Sequence, residues 1–140
     1  MIIRKQNFLD GILAATLATM LYVPCVQADY TAAEPQKEGS ITYITGGIGD
    51  EEREVLKSVK NDYNLSIMSA GTSGAFVGDT HIVIHDRTGQ EVLNTDAGPL
   101  FYAKLPAGRY IVEGTSEGQT RKQAINVASH QPAHVHFSWK

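Results

Sequence analysis

The second half of this chain carries a rhythm that few folds can accommodate. From residue 65 to residue 139, short runs rich in β-branched and aromatic residues alternate with turn chemistry. "LSIMSA" (65–70) meets the turn "GTSG", and "THIVIHD" (80–86) meets "RTGQ". "EVLNT" (91–95) leads through "DAGP" into "LFYAKL" (100–105), and "PAG" turns that run into "RYIVEG" (109–114). "TSEGQ" precedes "TRKQAINV" (120–127), and "ASHQP" precedes "AHVHFSW" (133–139). Strands of this length, punctuated by Gly and Pro about every eight to twelve residues, predict an all-β sandwich or barrel. Side chains alternate between the faces of a strand. Ile82 and Ile84 therefore share one face, with His81, Val83 and His85 on the other. Phe101, Ala103 and Leu105 form a second such set, Tyr110 and Val112 a third, and Val135, Phe137 and Trp139 a fourth. These sets predict the buried layer between two sheets.

Upstream the period changes. "ITYIT" (41–45) predicts a short strand, and Gly46, Gly47 and Gly49 follow it. Val55, Leu56 and Val59, with Tyr63 one turn on, recur at helical spacing. They predict an amphipathic helix over 50–62, capped by Asp50 and stopped by Asn61, Asp62 and Asn64. Arg53, Glu54, Lys57 and Lys60 fall outside the apolar stripe, which would lie on the β domain. A strand, three glycines and a helix have the outline of a phosphate loop, but that chemistry needs Gly-Lys-Ser/Thr at the helix start. Here Asp50, Glu51 and Glu52 stand there instead. Three acids satisfy the helix dipole themselves and repel phosphate. The glycines read as a sharp strand-to-helix turn.

The ends bear on compartment. Arg4 and Lys5 precede the apolar stretch "GILAATLATMLYV" (11–23), which is shorter than the ~20 residues a membrane-spanning helix needs. Val26 and Ala28 stand where a signal peptidase reads small residues. Residues 1–28 therefore read as a secretory signal peptide cleaved after Ala28, despite Asp10 at the edge of its apolar core. The expected location is exported, periplasmic or extracellular. Cys25 is the one cysteine, and Pro24 before it does not suit lipid attachment. With Cys25 removed, disulfides, thiol catalysis and cysteine-held metal are all excluded. "DYTAAEPQKEG" (29–39) reads as a flexible leader. Without Arg4, Lys5 and Asp10 the 12 basic and 15 acidic residues become 10 and 14, a formal charge of −4. Such an acidic and evenly charged domain does not suit nucleic acid, and no second apolar run is long enough to cross a membrane.

The stretch from Asn64 onward resembles the carboxypeptidase regulatory-like domain, of the prealbumin-like (transthyretin-like) class. "HIVIHDRTGQEV" resembles its strand, glycine turn and strand; "GPLFYAKLPAGRYIVEG" its Leu-Pro-Ala-Gly connection into a Tyr-containing strand; and "AHVHFSW" its closing strand. "GGIGDEER" is similar to a helical extension of small secreted bacterial members. The resemblance implies a mainly β protein, an Ig-like or prealbumin-like two-sheet antiparallel sandwich with one N-terminal amphipathic helix. With the signal peptide (1–28) and leader (29–39) set apart, the chain divides into a strand–loop–helix extension (40–63) and the sandwich (64–140). The peptidase that lends the family its name keeps its catalysis in a separate domain. The resemblance thus implies a non-enzymatic module without cofactor.

Histidines are the residues with most chemistry to offer. His134 and His136 share a strand face about 7 Å apart, a spacing suited to zinc or copper. His130 is near in sequence, and His81 and His85 would complete a four-nitrogen set if their strand were adjacent. The resemblance implies that the two strands lie in different sheets, so no metal residues are assigned. Ser69 and Ser73 lie outside any nucleophile-elbow pattern. Asp79, Asp86 and Asp96 sit at turns, where aspartate serves the backbone. No catalytic set is assigned. The reading is an exported, non-enzymatic module that binds an envelope protein or a glycan. A periplasmic metal-binding protein using the strand histidines is one rival, and an undetected hydrolase another.

Overall fold

The structure is a computed structural model and describes residues 33–140. The predicted signal peptide, Cys25 and the first residues of the leader lie outside the described residues. The described chain is mainly β, with two sheets and one short helix. The strands are β1 (Gln36–Glu38), β2 (Ile41–Gly46), β3 (Leu65–Gly71), β4 (Thr80–Asp86), β5 (Glu91–Ala97), β6 (Leu100–Lys104), β7 (Gly108–Ser116), β8 (Gln119–Val127) and β9 (Ala133–Trp139). Helix α1 (Asp50–Val59) follows β2 and tightens into a 3₁₀ turn at Lys60–Asp62. One sheet has the order β1-β2-β6-β3-β9, the other β5-β4-β7-β8.

Both sheets turn their alternate residues into one core. Ile67, Phe101, Val135 and Phe137 from the first meet Ile82, Ile84, Leu93 and Val112 from the second. The approach is close at Gly114, where a Cβ would fall 2.7 Å from the Phe137 ring. The predicted inward sets of β4, β6, β7 and β9 are all buried.

Three expectations about the strands need correction. Gln36–Glu38, predicted as leader, is a strand paired with β2 through Gln36↔Tyr43 and Glu38↔Ile41. Its sequence carries no strand signal; the open edge of β2 supplies the ladder, and the Tyr43 hydroxyl donates to Gln36 Oε1 at 2.9 Å. The sheets are also not wholly antiparallel, since β3 and β9 run parallel from Leu65↔Ala133 to Gly71↔Trp139. β9 arrives from the other sheet by a crossover, and no hairpin turn forces it to reverse. Finally, β2 lies between β1 and β6 and is a member of the sheet rather than an appendage to it.

Helix α1 covers the outer face of β2 and β6. Leu56 is fully buried there with Ile44, Leu100 and Tyr102, flanked by Val59 and Tyr63. Tyr63 stacks on Tyr102 at 6.3 Å. This second cluster is why Leu100, Phe101, Tyr102 and Ala103 are all buried: one face of β6 meets the core and the other meets the helix. Val55, expected on the stripe, is exposed. Each residue turns a helix by ~100°, so the buried face is 56, 59 and 63, and Val55 falls off its side. The N-cap is Gly49, with no side-chain cap, and the Asp50 carboxylate pairs with Arg53 instead.

The glycine loop is shaped by packing. A Cβ on Gly46 would collide with the Glu52 carboxylate, which folds back over the loop. Gly47, at φ +102, lies against Leu100. A Cβ on Gly98 would fall 2.8 Å from the Gly46 carbonyl oxygen.

Candidate functional site

The histidines separate. His81 and His85 belong to β4 in the four-stranded sheet, and His134 and His136 to β9 in the five-stranded one. Their strand neighbours Ile82, Ile84, Val135 and Phe137 all face the shared core. The imidazoles therefore emerge on opposite outer faces, and the four-nitrogen arrangement does not assemble. His81 Nδ1 lies 2.7 Å from Asp96 Oδ1 across the β4–β5 ladder. His130 and His134 line a small concavity of about 260 Å³ with Lys60, Tyr63 and Ser66. Burial, aided by the Asp62 charge, pushes the Tyr63 hydroxyl above the usual phenol range. Among the described residues, no three His, Cys, Asp or Glu side chains converge as a metal set.

The serines and aspartates do local work. Ser69 is buried in β3, and its backbone bonds Pro99 and Val77; Ser73 is exposed in the loop after β3. Asp86 anchors the turn after β4. Its Oδ1 accepts from the Thr88 hydroxyl at 2.6 Å, the Thr88 N–H at 2.9 Å and the Gln90 N–H at 3.0 Å. These bonds, the hydroxyl first, hold its carboxyl below the usual range. Among the described residues no buried side chain is a carboxylate, an imidazole or an ammonium.

The same turn opens onto a concavity of about 570 Å³ at one end of the four-stranded sheet. Asp86 pairs with Tyr110 across β4 and β7, which brings Arg87 and Arg109 to the same end. Ile111 and its cross-strand partner Ala124 form an apolar floor between β7 and β8. Ile111 is 44% exposed, a large aliphatic side chain facing water. The ion pairs among the described residues are Arg53–Asp50, Lys57–Glu54, His81–Asp96 and Lys122–Glu113; Arg87 and Arg109 belong to none. Asp86 lines the same concavity; its Oδ1 accepts the turn bonds and its carboxyl stays ionised, so an anion here meets two guanidinium groups beside one carboxylate. Two free guanidinium forks beside an apolar floor can hold a planar anion together with an apolar or sugar-ring face.

No family model and no curated protein matches this chain. The site is thus carried by its own geometry. Arg87 opens the turn "RTGQ" and Arg109 follows the turn "PAG", so neither carries a site signal in the sequence. Only the β4–β7 register joins them. Among the described residues, no helix is long and apolar enough to cross a membrane.

Proposed function

We propose that the protein is an exported, non-enzymatic binding module of the cell envelope, and that it holds a carboxylate-bearing envelope glycan between Arg87 and Arg109. The observation that carries this reading is the pair of arginines without ion-pair partners at the mouth of the 570 Å³ concavity. Its volume falls in the range of small-ligand sites, roughly 300–1,000 Å³. The floor of Ile111 and Ala124 suits the apolar face of a sugar ring.

The fold is of the carboxypeptidase regulatory-like, prealbumin-like sandwich type under this proposal. Two sheets around one core support it, as does Tyr110, whose hydroxyl donates to the Pro106 carbonyl at 2.7 Å. A tyrosine tied back to the backbone a few residues upstream is a recurrent corner device of Ig-like sandwiches.

Calorimetric titration with an oligouronate tests the ligand class. Binding should weaken with salt, because exposed charges are screened within about 8–10 Å at 0.1–0.15 M. It should vanish in Arg87→Ala/Arg109→Ala. No binding, or equal binding by the double variant, overturns the proposal. The export half is checked separately: N-terminal sequencing of protein recovered outside the cytoplasm should begin at Asp29.

A further inference from the structure

We propose that Met68, His134 and His136 form a copper(I) site on the outer face of the five-stranded sheet, separate from the arginine concavity. The parallel register pairs Ser66 with His134 and Met68 with His136. Residues paired this way point to the same side of the sheet. Ile67 and Val135, between them, are buried in the core, so Met68, His134 and His136 all emerge outward. Strand spacings of about 4.8 Å across and about 3.3 Å per residue along set a Cα triangle of roughly 5, 7 and 8 Å. Long side chains meet across such diagonals.

Met68 is 39% exposed, one of few large hydrophobic side chains left at the surface. Its other cross-strand neighbour, Leu100, is buried beneath the helix, which leaves His136 as the exposed cross-strand neighbour of Met68. β9 is the sheet edge, which leaves the approach to both imidazoles open.

The donor set selects the metal. Two imidazoles and a thioether bring no negative charge, and the outward positions around them, Ser66 and Ser138, add no carboxylate. Thioether sulfur favours copper(I), whereas zinc prefers four ligands drawn from thiolate, imidazole and carboxylate. An exported chain meets copper outside the cytoplasm, but the geometry stands without that.

Anaerobic copper(I) titration against a chromogenic chelator tests the site. The full chain would carry Cys25→Ser so that its thiol does not compete. One copper(I) per chain is expected. His134→Ala and His136→Ala should each abolish binding. Met68→Leu, close in volume and hence benign to packing, should weaken copper(I) at least tenfold and remove the sulfur scatterer from the copper X-ray absorption spectrum. Circular dichroism melts confirm that each variant folds. Wild-type affinity in Met68→Leu overturns the proposal. So does zinc binding more tightly than copper(I), or loss of copper on His130→Ala, which would make the third ligand an imidazole.

Discussion

Leu56 and Val55 are neighbours in sequence with opposite fates, and replacing each by alanine separates docking from intrinsic helix preference. Leu56 has no exposed surface and lies among Ile44, Leu100 and Tyr102, while Val55 is 38% exposed. Leu56→Ala removes three carbons from this cluster. At about 0.8 kcal/mol per buried carbon the transfer loss is ~2.4 kcal/mol. The cavity left behind adds to it, as large-to-small core substitutions of this kind cost ~2–5 kcal/mol. A ten-residue helix at the surface can settle partway into the gap, so ~3 kcal/mol is expected. Val55→Ala should be neutral or stabilise by a few tenths, because alanine is the better helix former. Urea denaturation gives both numbers. The midpoint of Leu56→Ala should fall with the slope unchanged, which marks a stability change rather than a change in the unfolded ensemble. Amide exchange should then show α1 opening before the sheets, since a helix this short is marginal in water alone. A loss under 1 kcal/mol for Leu56→Ala, or equal losses at the two positions, would refute the docking argument.

Gly98→Ala should destabilise by ~1–3 kcal/mol, because its Cβ meets the Gly46 backbone, which cannot rotate away; a thermal melt at the wild-type midpoint would contradict this. Asn64 clamps the end of β6, its Nδ2 donating to the Leu105 carbonyl at 2.7 Å and its Oδ1 accepting the Leu105 N–H at 2.8 Å. Asn64→Ala should cost ~2 kcal/mol by chemical denaturation, from two lost bonds and a stranded backbone pair. The depressed Asp86 carboxyl contributes stability that is present above its unfolded pKa, about 3.9, and is lost as pH falls through the lower folded value. Melting temperatures from pH 5 down to pH 2 should therefore fall less steeply in Asp86→Asn than in wild type; parallel curves would show that the turn does not depend on the carboxylate.

Features that depend on neighbours along the chain were legible before any fold was known. The strands from 65 to 139 and the helix from Asp50 agree with their alternation and helical spacing to within a residue or two. The inward sets around Ile82, Phe101, Val112 and Val135 were legible for the same reason: burial follows local period once a face is assigned. Tertiary structure decided everything that rests on which strand lies beside which. "QKE" has no strand signal and pairs only because β2 offers an edge. Both faces of β6 are buried because α1 folds back across it, which also strands Val55 in water. At the candidate sites the residue types were visible but their company was not. His134 and His136 stand two apart in the chain, whereas Met68 reaches them only through a parallel register with β9. Arg87 and Arg109 meet only through the β4–β7 ladder. Sheet order and register are set by packing between segments tens of residues apart, and a one-residue slip would turn each of these side chains to the opposite face.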